Sequence, residues 1–202
     1  PPMLYGMAVS RYQGVYLGTL QMFYFDQHRR HPKTHQIDAQ LAWSRDGLSW
    51  SRHPARPLFL ENGPIPGYDW GMVYAWNEII ERPEGVFIYY EGDDTLHHGS
   101  VHGSGVRHLC LATLRRDGFV SVDALEGRDG YLLTRPIECP GGKLHINART
   151  GRDGYVSVAV RSGDGELDGD WLPEWGFEAN APLSGDSTDH IVSWQGQNSL
   201  QA

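Results

Sequence analysis

"GVYLGTLQMFY" (residues 14–24) and "GVFIYYEGDD" (residues 85–94) align at an offset of 71 residues, and "WSRDGLSW" (43–50) falls on "LRRDGFVS" (114–121) at the same offset. Two matches at one offset mark an internal repeat. The second match lays Arg45-Asp46-Gly47 over Arg116-Asp117-Gly118. Asp-Gly between runs of aromatic and β-branched residues is a tight-hairpin signal, because glycine accepts the positive φ that such a turn requires.

Around these matches, apolar runs bounded by turn residues predict four strands per repeat. They fall at 7–12, 15–25, 37–44 and 48–52 in the first repeat, and at 72–80, 86–90, 109–114 and 119–123 in the second. Twenty-five glycines and twelve prolines punctuate the chain, and no segment keeps a helical period for three turns, so the fold expected is all-β. Four-stranded antiparallel units of this kind suit the blades of a β-propeller. An ordinary sandwich with coincidental turns is the competing reading, since "RDG" recurs at 128–130 and 152–154 outside the repeat. After Ala124 the rhythm changes, and "KLHINA" (143–148) and "YVSVAV" (155–160) alternate as strands of a half-buried sandwich do. The expected organisation is two β-propeller blades over 1–124 and a C-terminal β-sandwich over 125–202. Propellers usually close with four to eight blades, so the blade set is expected to be incomplete and the sandwich truncated.

Composition narrows the function classes. The 202 residues are 40% hydrophobic and 21% charged, enough to bury a core, and no apolar run reaches the 18 residues of a membrane-spanning helix. The net charge of −8, with no cluster of Lys and Arg longer than two residues, speaks against a nucleic-acid partner. Cys110 and Cys139 are too few for a disulfide framework and have no ligand-like spacing. The opening "PPMLYG" has no signal-peptide pattern, which leaves a cytoplasmic protein or a chain whose N-terminus lies further upstream. The second is the expectation, with a periplasmic or extracellular location favoured.

Several stretches together resemble a bacterial glycoside-hydrolase-like group related to the five-bladed propellers of glycoside hydrolase families 32 and 43. They are "LYGMAVSRYQGVYLGTLQMFY", "IDAQLAWSRDGLSW", "GYDWGMVYA", "IYYEGDDTLHHG", "LATLRRDGFVSVDA" and "LLTRPIECPGGKLHINA". The resemblance covers nearly the whole chain and implies the latter part of a propeller followed by a β-sandwich. It also implies a carbohydrate partner, with glycoside hydrolysis as the associated activity. Families of this kind carry their catalytic carboxylates mainly on the first three blades, so part of the chemistry is expected outside this chain. A non-catalytic carbohydrate-binding module and a structural fragment without a complete site are the alternatives.

Blade geometry sorts the loops by face. Segments 26–35, 61–71 and 91–108 share one face and carry seven of the ten histidines. Concentrated His, Asp, Glu, Trp and Tyr at the mouth of a propeller is a functional signal. Asp69, in an Asp-x-Gly-Met context similar to the resembled group, is a candidate acid/base or sugar ligand, or a turn residue bonding its own backbone. For Glu91, Asp93 and Asp94 a general acid, calcium ligands and a solvated turn are the competing readings; the stretch lacks the spacing of a calcium loop, and Glu91, which abuts a predicted strand, is the second candidate catalytic carboxylate. Tyr5 and Trp70 offer stacking faces, or plug the propeller axis. His28 follows a predicted strand closely. Of the adjacent His97 and His98, which point opposite ways on an extended chain, His98 is expected to face the site. The substrate-binding candidates are thus Tyr5, His28, Trp70 and His98. Neither a metal nor a cofactor is expected, because His98 and His102 on a glycine-rich loop lack convincing ligand spacing.

Overall fold

The computed structural model describes residues 2–26, 31–97, 104–163 and 171–200. The chain is all-β, and its sheets are not closed into a barrel. The described residues contain no α-helix, only a 3-10 turn at Pro173–Trp175. Two compact units are present, residues 1–116 and 117–202.

The first unit contains two antiparallel meanders. One comprises β1 (Met3–Tyr12), β2 (Val15–Phe23) and β3 (Ile37–Ser44), bordered by the short β4 (Ser51–Arg52) and β5 (Leu58–Leu60). The other comprises β6 (Met72–Arg82), β7 (Gly85–Asp93) and β8 (Arg107–Leu114). A single parallel pairing, Ile37 with Met72, joins them, next to a bond from Ile37 N–H to Gly71 O at 3.2 Å.

The repeat in the structure is 70 residues, one fewer than the sequence match. Tyr16 pairs with Ser44 and Val86 with Leu114; Tyr12 pairs with Val15 and Arg82 with Gly85, so each residue is answered 70 positions on. The left-handed positions agree, Gly47 at φ 76° answering Asp117 at φ 56°. Turn chemistry explains the slip. Gln13 and Gly14 both take positive φ, as a primed hairpin turn requires, whereas Pro83 in the matching turn is fixed at negative φ and the positive φ passes to Gly85. Matching glycine to glycine therefore displaces the alignment by one residue, which in a strand exchanges the two faces.

Two predicted outer strands differ from expectation. The 48–52 strand is reduced to Ser51–Arg52, because Asp46 Oδ1 accepts the N–H groups of Leu48 (2.8 Å) and Ser49 (2.7 Å) and holds them in a turn. The ladder resumes at β5 after an excursion through Arg56 at φ 52°. The 119–123 strand does not form: Val120 and Val122 stay exposed, and Ser121 bonds locally to Asp123 at 3.1 Å.

Alternation along β2 divides the core. Met22 packs with Leu20 and Ala42 against Tyr24 and Trp50, while its neighbour Phe23 packs with Ile37 and Met72 against Tyr74. Val73, Tyr90 and Cys110 form a third cluster with Leu60 and Ala112. Full burial of each such large apolar side chain stabilises the fold by about 1.5–3 kcal/mol.

The described residues of the second unit form two short ladders, β9 (His145–Arg149) with β11 (Asp186–Ile191), and β10 (Asn180–Ala181) with β12 (Ser193–Trp194). They surround Ala179, Val192 and Trp194. The expected strand at 155–160 forms no ladder among the described residues beyond isolated bridges. Val158 N–H is taken by Asn180 Oδ1 (2.9 Å) and Val158 O by the Trp194 indole N–H (2.9 Å), so side chains occupy the places a neighbouring strand would fill.

Candidate functional site

In the first unit β1, β3, β6 and β8 begin, and β2 and β7 end, at one end of the sheet. The described stretches 24–26, 31–36, 61–71, 94–97 and 104–106 adjoin the strands at that end. Leu4 pairs with Met22 and Gly6 with Gln21, so Tyr5 is the extra residue of a β-bulge. A bulge re-aims a side chain that the pleat would otherwise constrain. The Tyr5 ring is half exposed and meets His97 at 5.1 Å, Tyr74 at 6.0 Å and Phe23 at 6.1 Å between centroids. Tyr5 Oη and His97 Nε2 share a hydrogen bond of 3.1 Å.

His97 is placed by main-chain bonds. Its N–H donates to His35 O at 2.8 Å, and its own carbonyl lies 3.2 Å from His35 Nδ1. Tyr74 stands directly opposite Glu91 across the β6–β7 ladder. Burial, followed by the neighbouring Tyr5 and Asp93, pushes the Tyr74 phenol above its ordinary pKa, so it acts as a neutral hydroxyl. Glu91 Oε1 pairs with Arg107 Nη1 at 3.1 Å, and Arg107 Nε lies 3.9 Å from Asp93 Oδ2. One rim thus holds an exposed aromatic ring, an imidazole, a neutral phenol and a carboxylate–guanidinium pair.

The other acids of this segment build its turns. Asp93 Oδ1 accepts the Thr95 N–H (2.9 Å) and hydroxyl (2.6 Å). Asp94 accepts the Ser104 N–H (2.9 Å), the Ser104 hydroxyl (2.6 Å) and the Gly105 N–H (3.1 Å), bonds that hold its carboxyl below the usual range.

Asp69 does not join Glu91. It is 7% exposed, accepts the Tyr90 hydroxyl at 2.8 Å, and is packed so closely that a Cβ on Gly63 or Gly92 would overlap it. Tyr90 and Glu91 are consecutive on β7 and point to opposite faces, so the expected pair of catalytic carboxylates shares no pocket. Trp70 is 5% exposed, and its carbonyl accepts Gln36 Nε2 at 2.6 Å. His28 and His98 lie outside the described residues.

Sequence reasoning passed over Tyr74 and Arg107, and chose His98 where it weighed His97. Tyr74 shares the alternation of Met72 along β6, and Arg107 opens the strand opposite Glu91 and Asp93; both signals were readable once the ladder register was known. Beside Tyr5, a groove of roughly 630 Å³ runs between Gly6, Gln21, Ala75, Trp76 and Asn77. Trp76 is half exposed, with Tyr89 at 6.3 Å. No group of three or more His, Cys, Asp or Glu among the described residues could hold a metal ion, and no helix among them is long and apolar enough to cross a membrane. Comparison with protein-family models, curated proteins and solved structures finds no match for the chain.

Proposed function

We propose that the first unit binds a carbohydrate at the rim formed by Tyr5, Tyr74, Glu91, His97 and Arg107, in a pair of propeller-type blades. The observation that carries this reading is the half-exposed Tyr5 ring, aimed by a bulge, which Tyr74 links to a Glu91–Arg107 pair. A sugar presents an apolar C–H face and a fringe of hydroxyls. An aromatic face suits the first, and a carboxylate acceptor beside a guanidinium donor suits the second. The common direction of the two meanders and their shared 70-residue register support the blade reading.

Binding is favoured over hydrolysis. Glycoside cleavage generally uses two carboxyl groups facing each other across about 5–10 Å, and the two candidates here lie on opposite faces of β7. The test is a thermal-shift and calorimetric screen of methyl glycosides of neutral pentoses and hexoses. A ligand of the folded state raises the unfolding temperature, and Tyr5→Ala abolishes the rise while leaving the unliganded protein folded. A panel without any saturable binding would overturn the reading.

A further inference from the structure

We propose that the Lys33–Asp38 ion pair is a latch that sets the geometry of this rim from outside it, acting through His35 and His97. The proposal rests on the sugar-binding reading above. Asp38 is the second residue of β3, and its side chain is completely buried. A carboxylate taken out of water needs close partners. Asp38 has two, Lys33 Nζ at 3.0 Å and the Tyr24 hydroxyl at 3.1 Å, and a second acid, Glu61, lies 3.9 Å from the same ammonium.

The bonds that follow Lys33 converge on His35. Lys33 O accepts the Gln36 N–H (3.0 Å), Tyr24 O accepts the His35 N–H (2.6 Å), and Gln36 O accepts the Tyr24 N–H (3.1 Å). His35 has φ 67°, a left-handed conformation that is unfavourable for a non-glycine residue and persists only where its surroundings fix it. From that conformation His35 offers its carbonyl to the His97 N–H at 2.8 Å, and the His97 ring meets Tyr5. Bonds therefore run from Asp38 through Lys33, Gln36, Tyr24, His35 and His97 to Tyr5. Only the last two belong to the proposed sugar contact. Lys33 and Asp38 are positioning residues, and a buried ion pair, which adds little net stability, is suited to fixing one register of a loop.

Lys33→Met alone would leave Asp38 with neither a cation nor a donor from position 33, so the informative variants are Lys33→Met/Asp38→Asn, which removes both charges, and Lys33→Gln, whose neutral amide can still donate to Asp38. The side-chain amide that the double variant places at position 38 can still accept the Tyr24 hydroxyl. Expected for both are a cooperative unfolding transition and shifted His97 imidazole ¹⁵N resonances in the sugar-free protein. Affinity for the methyl glycosides should be about tenfold weaker, within the usual range of coupling between sites. Lys33→Arg should restore both readouts. Unchanged His97 resonances and unchanged affinity in both folded variants would overturn the latch. Absence of sugar binding by the wild-type protein would instead overturn the binding reading, and the His97 resonances would still judge the latch.

Discussion

Tyr5 Oη and His97 Nε2, from residues 92 positions apart, meet at 3.1 Å and close the rim between the two meanders. If that contact presents the Tyr5 ring to a sugar, Tyr5→Phe keeps the ring and loses only the bond. It should weaken binding several-fold, the net worth of a single hydrogen bond being about 1 kcal/mol. Tyr5→Ala should remove binding altogether with little change in unfolding temperature, because the side chain is half exposed. Isothermal titration calorimetry on the two variants separates these outcomes.

Tyr90 and Asp69 predict a stability effect that is independent of function. Tyr90→Phe leaves a buried carboxylate without its 2.8 Å donor, so the variant should lose about 1–3 kcal/mol, read from urea unfolding. Asp69→Asn keeps an acceptor and should cost less.

Gly92 tests how tightly the same cluster is packed. A Cβ at this position would stand 2.7 Å from Asp69 Cβ and 3.0 Å from Cys110 Sγ. Gly92→Ala should destabilise by about 1–3 kcal/mol, the usual cost of overpacking a core. The urea midpoint should fall with an unchanged slope.

Two aspartates predict opposite pH dependences. The N–H groups of Ser49 and Leu48 and the Ser44 hydroxyl hold Asp46 below its ordinary pKa of 3.8, so its contribution is present above that value and lost as pH falls. Burial raises the Asp38 carboxyl above the same ordinary value, more than Lys33 lowers it. Its contribution is full below that value and lost as pH rises through the raised one. Urea midpoints between about pH 3 and 7 should show Asp46→Asn approaching wild type as pH falls. Asp38→Asn should flatten the decline that accompanies rising pH.

The repeat, the all-β character and the sorting of loops to one strand end were legible in the sequence, because turn residues and alternation are local signals. Register was not. Matching Gly14 to Gly85 put the offset at 71, while the hydrogen bonds set it at 70, since Pro83 cannot adopt the turn that Gln13 and Gly14 make. Which face Asp69 takes depends on Tyr90, Gly63 and Gly92, partners that no local pattern announces. The place of His97 beside Tyr5 depends on a main-chain bond to His35, 62 positions away in the sequence, which no local pattern announces. The 119–123 segment alternates like a strand but forms no ladder among the described residues, and propensity alone does not supply one.

The most direct test of sugar binding at this rim is a ¹H–¹⁵N NMR titration of the whole chain with the methyl glycosides. The account predicts saturable shifts at Tyr5, Tyr74, Glu91, His97 and Arg107, with none at the Gln13–Gly14 turn on the opposite strand end. Shifts confined to that turn, or no saturable shifts with any sugar, would contradict it.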